Sequence, residues 1–354
     1  MSAGPDTTPD EPGGGAGNAM PVVFRAIAPV LECHLLHAVT RFGVPDALSD
    51  TPRPAEEIAD ALGLHRDALR RALHALAQSG YVAEGPPGLF ALNDAMRALR
   101  SDSEMPGATL LLTHVEHSLP LYAAVGHTIE TGEPASEKVY GKSYFAHLAE
   151  RPEAQRGFVE GLGRVGTLAF GPALARLAQE LTPRVRKVVD VGGGDGFLAE
   201  GLLRGDPELR AAVLDLPSVL DAARDRLAKA GLLDRCELVP GSFFETAPAG
   251  ADAYVIARCL HNWNDERAVA ILRTVRAAMG TEARLFVLEQ LVPEEQDDSA
   301  AYPDLLMMLI GGSERTESQY ARLMADAGLR LTGTRPFGPG VGGVTTSLLE
   351  AVPA

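Results

Sequence analysis

The chain has 354 residues, 46% of them hydrophobic, and its 47 acidic against 32 basic side chains give a formal net charge of −15. This length suggests two domains, with three possible, and such an acidic surface argues against nucleic acid or an anionic membrane as a partner. The chain has no apolar run of about 18 residues, so no membrane span is predicted. Three scattered cysteines, Cys33, Cys236 and Cys259, indicate a cytoplasmic protein without a disulfide framework.

The N-terminal part of the chain has the pattern of a winged-helix domain, which we place at residues 21–104. Residues 1–20 are rich in Pro, Gly and Asp and lack the basic and apolar regions of a signal peptide, so we expect a disordered tail. Apolar side chains then recur at helical spacing over residues 22–48. Two helices and a strand hairpin follow, at Ala55–Leu62, Arg66–Gln78, Tyr81–Ala83 and Leu89–Ala91.

The second helix of this block leaves two interpretations open. It carries Arg66, Arg70 and Arg71, and a basic helix in a winged-helix domain is typical of DNA binding. Acids lie close by in the sequence, at Asp60, Asp67 and Glu84. Together with the net charge, these acids favour a structural or dimerising module over a DNA-binding one.

The C-terminal part alternates short apolar runs with helical patterns. Residues 105–180 are predicted to be mostly helical and to link the first domain to a second domain at 181–354. Buried strands are predicted at Lys187–Val191, Ala211–Leu216, Glu237–Val239, Ala253–Ala257 and Arg284–Glu289. Helices are predicted at Phe197–Arg204, Ser218–Ala230 and Glu317–Ala327, and an antiparallel pair at Leu329–Thr334 and Thr345–Ala351. The pattern predicts an α/β, Rossmann-like, doubly wound, mostly parallel sheet with an antiparallel edge strand.

A glycine loop after the first of these strands predicts a nucleoside ligand. Gly192, Gly194 and Gly196 allow close approach of the backbone, and Asp215 at the end of the next strand can accept hydrogen bonds from a ribose. A dinucleotide fingerprint needs a third glycine where this chain has Phe197. Two acids at the loop, Asp190 and Asp195, disfavour a pyrophosphate. S-adenosylmethionine (SAM), which has a cationic centre and no phosphate, fits better than NAD.

The segment after the fourth strand carries the candidate catalytic base. His261 follows the apolar run, and Trp263, the single tryptophan, is expected to form a wall of the pocket. Glu289 ends the fifth strand and Glu314 lies in a loop before a helix, so both can approach His261 at the same edge of the sheet. A histidine oriented by carboxylates near a methyl donor predicts general-base catalysis on a hydroxyl, without a metal.

Taken together, these segments resemble the SAM-dependent O-methyltransferases of the plant caffeate and bacterial polyketide-tailoring type. The matching segments are "VVDVGGGDG", "LDLP", "GSFFE", "LHNWNDE", "LEQLVP" and "GGSERT", in the family's order, within a similarity over residues 21–352. The resemblance implies a homodimer formed through the N-terminal domain and a small aromatic hydroxylated substrate. It also implies that His261 is the base and that Glu289 and Glu314 flank it.

The resemblance also implies which residues bind the two ligands. The cofactor-binding set is expected to be Asp190, Gly192, Gly194, Asp215, Leu216, Ser242, Phe243 and Arg258. The substrate-binding set is expected to be Leu162, Asn262, Trp263, Leu306 and Met307. At three of these positions many members have another residue: Asp at Ser242, Asp at Asn262, and Met at Leu162. These departures affect the expected adenine contact and the shape of the pocket.

Two other histidine pairs and two other functions stay open from the sequence. His34 with His37 and His114 with His117 are spaced i, i+3, but no cysteine or acid set completes a metal site at either pair. His114 or His117 could instead reach the acceptor pocket. The same fold could use SAM for hydroxylation or cyclisation, and the winged helix could serve a ligand-sensing regulator.

Overall fold

A computed structural model of the chain describes residues 19–181, 184–294, 301–339 and 345–354. The chain forms two compact units, Met1–Ser103 and Glu104–Ala354. Most of the predicted tail, residues 1–20, lies outside the described residues, and the first helix begins at Ala19. None of the described helices is long and apolar enough to cross a membrane.

The first unit combines helices with a small three-stranded antiparallel sheet. Its elements are α1 (Ala19–Arg41), α2 (Val44–Ala47), β1 (Arg53–Pro54), α3 (Ala55–Leu62), α4 (Arg66–Gln78), β2 (Ala83–Glu84), β3 (Leu89–Ala91) and α5 (Asp94–Arg97). The strand order is β1-β3-β2. The predicted hairpin is therefore present, with β2 shifted to Ala83–Glu84. The sequence pattern did not indicate β1, which has two residues and pairs with Leu89 and Phe90.

The second unit begins with a run of mostly short helices. These are α6 (Gly107–Thr113), α7 (Leu119–Ala123), α8 (Val125–Thr131), α9 (Ala135–Tyr140), α10 (Tyr144–Ala149) and the long α11 (Pro152–Leu181). A single π-helical turn, His114–Ser118, joins α6 to α7. Side chains from α7, α9 and α10, among them Leu121, Tyr144 and Leu148, form a small core with Leu309.

The rest of the second unit is a seven-stranded sheet with helices. Its strands are β4 (Lys187–Val191), β5 (Arg210–Asp215), β6 (Cys236–Pro240), β7 (Ala253–Ala257), β8 (Arg284–Gln290), β9 (Leu329–Pro339) and β10 (Thr345–Pro353). Its helices are α12 (Phe197–Gly205), α13 (Pro217–Lys229), α14 (Asp265–Ala278), α15 (Ala301–Ile310) and α16 (Glu317–Asp326). Strands β4, β5, β7 and β8 are apolar and almost wholly buried, as expected for parallel strands covered on both faces.

The strand order is β6-β5-β4-β7-β8-β10-β9. The first five strands pair in parallel, and the order reverses beside β4, where the neighbour changes from β5 to β7. The predicted antiparallel pair is present, and β10 pairs antiparallel with both β8 and β9. The antiparallel strand is thus β10, one position inside the edge, and β9 forms the edge itself. This arrangement is a Rossmann-like doubly wound sheet, as the sequence predicted.

Helices α11 and α12 pack closely because glycine faces the contact. A Cβ at Gly201 would lie 2.8 Å from Leu174, and one at Gly205 would lie 2.7 Å from the carbonyl oxygen of Ala175. Both distances are shorter than a van der Waals contact, so no side chain fits there. The long α11 is thereby held beside α12, the helix that follows the glycine loop.

Candidate active site

The glycine loop after β4 and the acid at the end of β5 meet at the carboxyl edge of the sheet. Gly192, Gly194 and Gly196 have φ angles of 69°, 60° and 77°, which residues with a Cβ rarely adopt. The carboxylate of Asp215 accepts hydrogen bonds from the backbone N–H of Gly194 at 2.8 Å and of Leu216 at 2.7 Å. The end of β5 and the loop are therefore fixed to each other at the point where the strand order reverses.

Helix α11 covers this loop at two further glycines that the sequence pattern did not single out. A Cβ at Gly163 would lie 2.1 Å from the carboxylate of Asp195, and one at Gly166 would lie 2.6 Å from the ring of Phe197. A third loop glycine at position 197 would let the helix pack closely. Here Gly166 of α11 leaves room instead, and the ring of Phe197 fills that room. The signal was present in "EGLGRVG", where glycines recur inside a predicted helix.

The loop carries several buried carboxyl groups. Burial and the nearby charge of Asp215 raise the pKa of Asp190 to about 8, and its Oδ2 has no hydrogen-bond partner among the described residues. Burial raises the pKa of Asp195 to about 6, although Arg226 lies 2.6 Å from its carboxylate. Burial also raises the pKa of Asp215, against the opposing effect of its two backbone donors. A cationic ligand would stabilise the ionised forms of all three.

Aromatic rings close the side of the site beyond β6 and β7. Phe243 lies over Gly192, where a Cβ would be 3.3 Å from the ring, and Phe243 and Trp263 are in edge contact at 6.2 Å between centroids. Phe145 of α10 lies 5.7 Å from Trp263 on a tilted plane. The indole N–H of Trp263 is buried and has no hydrogen-bond partner among the described residues. Phe145 is a wall residue that the sequence did not predict, because no local pattern connects α10 with the end of β7.

The three predicted catalytic residues come together at the carboxyl ends of β7 and β8. His261 lies in a 3-10 turn, Leu260–Asn262, and is buried with 5% of its surface exposed. Its Nδ1 lies 2.9 Å from Glu314 Oε1 and 3.9 Å from Glu289 Oε2. Because an ionised carboxylate only accepts hydrogen bonds, Nδ1 carries the proton and donates a hydrogen bond to Glu314. No residue that the structure describes forms a hydrogen bond to Nε2, which leaves this nitrogen able to accept a proton.

The two acids are buried, and one carboxylate oxygen of each accepts more than one hydrogen bond. Glu289 Oε1 accepts hydrogen bonds from the backbone N–H groups of Cys259, Leu260 and His261, at 3.0, 2.9 and 3.4 Å. These contacts fix the turn that carries His261. Burial alone would raise the pKa of Glu314, but the hydrogen bond and charge of His261, together with Arg258, lower it overall.

The three side chains predicted to be catalytic could also form a metal site. Their ligand atoms lie within 4.8 Å of one another, a spacing that a metal ion could use. The guanidinium of Arg258, however, lies 3.3 Å from Glu289 and 3.3 Å from Glu314. A side-chain cation therefore already occupies the position between the acids. The geometry fits a base with its orienting acids better than a metal centre.

Residues outside the predicted set hold this cluster in place. Ser313 donates its N–H to the carbonyl oxygen of His261 at 2.9 Å, and Asp304 of α15 accepts from the N–H of Glu314 at 2.8 Å. A Cβ at Gly312 would lie 2.0 Å from the His261 carbonyl oxygen, so only glycine fits there. The buried Arg315 donates to the carbonyl oxygens of Trp263 and Leu260. Asp304 stands out in the sequence as a single charge in an otherwise apolar helix, but nothing in the sequence connects it with Glu314.

The structure places the other predicted residues as follows. Ser242 and Phe243 follow β6, and Arg258 follows β7, so all three lie at the loop edge of the sheet. Leu216 precedes α13 and is 39% exposed, and Leu162 of α11 is 47% exposed. Leu306 and Met307 lie in α15, whose backbone is connected to the site by the Gly312 N–H bond to the Met307 carbonyl. Asn262 donates from Nδ2 to the carbonyl oxygen of Arg258 at 3.3 Å.

The histidines of the 114–118 turn have side-chain partners other than the predicted catalytic residues. His114 Nε2 lies 2.6 Å from the hydroxyl of Tyr122, and His117 Nδ1 lies 3.2 Å from His147 Nε2. Among the residues that the structure describes, the group formed by His261 and its two acids is the one with three or more potential metal ligands. Neither His34 with His37 nor His114 with His117 belongs to such a group.

The residues at the loop edge fit the predicted cofactor. Asp190 has an unpartnered buried oxygen, Asp215 lies where a ribose acceptor is needed, and the loop acids would attract a sulfonium and repel a phosphate. At this edge the ring of Phe243 lies beside the loop glycines, which expose backbone without side chains.

Comparison with known proteins gives one family. The O-methyltransferase domain family matches residues 122–330. The chain is 36% identical over 323 residues to the phenazine O-methyltransferase PhzM of Lysobacter antibioticus, a match covering 90% of this chain and 92% of that protein. It resembles the structure of the mitomycin 7-O-methyltransferase MmcR, with a TM-score of 0.86 and 33% identity over 95% of this chain and 98% of that one.

A second similar structure contains both a cofactor and an aromatic ligand. It is the O-methyltransferase NcsB1 of neocarzinostatin biosynthesis, in complex with SAM and 2-hydroxy-5-methyl naphthoic acid. Its TM-score is 0.79 at 31% identity, over 91% of this chain and 96% of that one.

Proposed function

The chain belongs to the O-methyltransferase domain family and is a SAM-dependent O-methyltransferase, and from this premise we propose that it methylates a phenolic hydroxyl of a small aromatic natural product, with His261 as the general base. The observation that carries the proposal is the orientation of His261. Its Nδ1 is held by Glu314 at 2.9 Å, which leaves Nε2 as the proton acceptor.

The base is needed because a phenol is a weak nucleophile when protonated. A phenolic hydroxyl has a pKa of about 10 and a free imidazole one of about 6.5, so at neutral pH the hydroxyl keeps its proton and the imidazole can accept it. SAM supplies the electrophilic methyl group. His261 removes the hydroxyl proton during attack, and the adjacent Glu314 stabilises the imidazolium that results.

The aromatic walls support an aromatic acceptor. The ring centroids of Trp263 and Phe145 lie 5.7 Å apart, and Phe158 of α11 contacts Phe145 at 6.2 Å between centroids. We assign Leu162, Asn262, Trp263, Leu306 and Met307 to the acceptor side, and we assign the loop residues with Asp215, Leu216, Ser242, Phe243 and Arg258 to the cofactor side. The aromatic acceptors of PhzM and NcsB1 are consistent with this class of substrate.

The test is the variant His261→Ala. SAM binding, measured by calorimetry, should stay close to wild type, because the cofactor residues are untouched. Turnover of a hydroxylated aromatic panel with labelled SAM should fall by about 10²–10⁴-fold. The matched control is His74→Ala, which removes an exposed histidine from α4. Near-wild-type turnover of His261→Ala at saturating acceptor would remove His261 from this role.

The same assay separates methyl transfer from other uses of SAM. If the methyl group is transferred, S-adenosylhomocysteine and methylated product form in equal amounts. Product without S-adenosylhomocysteine would indicate hydroxylation or cyclisation instead.

We propose that the first unit serves dimerisation and does not bind DNA. The arginines of α4 are paired with acids, Arg66 with Asp60 and Arg70 with Asp67, each at 2.6 Å. These pairs reduce the positive charge that a phosphate backbone would need. Helix α1, by contrast, exposes an apolar stripe, which supports contact with a second copy.

A further inference from the structure

Arg258 lies between the two acids of the catalytic cluster. Its Nη1 is 3.3 Å from Glu289 Oε2, and its Nη2 is 3.3 Å from Glu314 Oε1. The oxygen of Glu314 that it contacts is the same one that accepts from His261 Nδ1. Glu289 and Glu314 have 0% and 2% of their side-chain surface exposed, and Arg258 has 25%. Water therefore screens these charges poorly.

The backbone holds Arg258 in an unusual conformation. Its φ is 49°, and it is the one non-glycine residue with a positive φ among those that the structure describes. Its N–H donates to the Leu288 carbonyl at 2.9 Å, and its carbonyl accepts from Asn262 Nδ2 at 3.3 Å. These bonds hold the strained residue at the junction of β7 and the turn carrying His261, beside Glu289 in β8. Such strain persists where the surrounding structure fixes it, and it is common at functional sites.

We propose that Arg258 is a positioning residue for the base: it neutralises one of the two acids, so that His261 faces a net charge of −1 instead of −2. This inference rests on the proposed function. With both acids unpaired by Arg258, two negative charges beside the ring would favour the imidazolium, and His261 would be a poorer proton acceptor. With Arg258 in place, Glu314 still orients His261, and the ring can release its proton after each turnover.

The other charged or titratable groups around His261 leave this balance unchanged. They are Cys259 after β7, Asp304 in α15, Arg315 before α16, and Tyr320 in α16. Burial raises the pKa values of Cys259 and Tyr320, so both are neutral. Arg315 pairs with Asp265 at 2.8 Å. Asp304 contacts the backbone N–H of Glu314 and is the same in every variant proposed below.

The test is a charge series at two positions. Arg258→Met leaves both acids unpaired, and the acidic limb of the kcat profile should move up by about one pH unit or more. Relative to wild type, kcat of Arg258→Met should fall about tenfold at low pH and recover at high pH, whereas any lost contact with SAM would raise the KM for SAM at every pH. Glu289→Gln should move the limb down. The double variant R258M/E289Q should return it close to wild type, and Arg258→Lys should keep it there.

A second readout does not depend on turnover. The His261 ring can be titrated by NMR in the resting enzyme, with its signals assigned by comparison with His261→Asn. The titration midpoint should be highest in Arg258→Met, lowest in Glu289→Gln, and close to wild type in R258M/E289Q and Arg258→Lys. If the wild type transferred no methyl group, the ring titrations would still test the role of Arg258. If Arg258→Met does not fold, R258M/E289Q and E289Q differ by the Arg258 charge alone, and the midpoint of the double variant should be the higher.

Two results would overturn the proposal. One is that the acidic limb of the kcat profile and the titration midpoint of the His261 ring both stay the same in every variant of the series. The other is an Arg258→Met variant whose KM for SAM rises severalfold at an unchanged midpoint, which would make Arg258 a cofactor ligand only.

Discussion

At the scale of the residue, Asp190 shows how a side chain that we assign to the cofactor site lowers the stability of the unliganded fold. Its carboxyl group has an ordinary pKa of 3.8, and burial with the charge of Asp215 raises this to about 8 in the folded chain. The folded chain therefore holds a proton that the unfolded chain has lost between these two values. This contribution to the free energy of unfolding is complete below the lower value and is lost as pH rises through the upper one.

We predict that Asp190→Asn removes this dependence. Without SAM, the variant should match wild type at about pH 4 and exceed its free energy of unfolding by a few kcal/mol at about pH 8, since a tenfold change in proton affinity corresponds to about 1.4 kcal/mol. Denaturant titrations across this range provide the measurement. Asp221→Asn, an exposed acid of α13, controls for the loss of one negative charge. Parallel curves for wild type and Asp190→Asn would show that Asp190 ionises normally.

At the scale of the element, α11 reaches the cofactor loop because it has glycine at two contacts. We predict that Gly163→Ala lowers the free energy of unfolding by about 1–3 kcal/mol, as expected for overpacking. Its methyl group would lie 2.1 Å from the Asp195 carboxylate. The affinity for SAM should fall as well, because Asp195 is part of the loop. Thermal unfolding and calorimetric SAM binding measure the two effects.

The same helix provides a matched control. Gly171 also lies in α11, and a Cβ there would have no atom within 4 Å beyond its immediate chain neighbours. Because a Cβ on the residue before Pro172 disfavours helical backbone, Gly171→Ala should gain little stability from helix propensity, and it should leave SAM affinity unchanged. Equal effects of the two substitutions would mean that helix propensity, and not the contact with the loop, decides the outcome.

Prediction from sequence succeeded for elements whose signals are local. Strands β4 and β7 and helices α3 and α4 have the predicted bounds, because each is a compact apolar run or an amphipathic segment between clear breakers. Strand β9 continues five residues past its predicted end, through Pro336, which an edge strand tolerates. The position of β10 between β8 and β9 was not predicted, because strand order depends on contacts between distant segments.

The candidate site divides in the same way. His261, Glu289 and Glu314 could be predicted to converge because each follows or ends a strand, or precedes a helix, at the carboxyl edge of a parallel sheet. Phe145, Asp304 and Gly312 could not, because their contacts with Trp263, Glu314 and His261 join segments without a shared local pattern. The role of Arg258 required the distances, since its sequence position suggests only that it lies near the cofactor.

At the scale of the whole molecule, the proposed dimer would need an apolar contact surface, and the exposed face of α1 offers one. Val23, Ile27, Val30 and Leu31 recur at helical spacing and are 47%, 57%, 55% and 61% exposed. Burying one such side chain in a contact with a partner stabilises the dimer by about 1.5–3 kcal/mol. In a dimer with twofold symmetry each contact occurs twice. This stripe is therefore the surface that we expect a second copy to cover.

We predict that Ile27→Lys combined with Leu31→Lys converts a dimer into a monomer, because each lysine would place a charge inside an apolar contact. Sedimentation velocity at micromolar concentration measures the change. Ile129→Lys is the matched control, since Ile129 of α8 is 76% exposed and lies outside the stripe, so its variant should remain dimeric. If the wild type is a monomer, or if the double variant sediments as a dimer, the stripe on α1 is not the dimer contact. Loss of dimers in the control would show that any added lysine disrupts association, whatever its position.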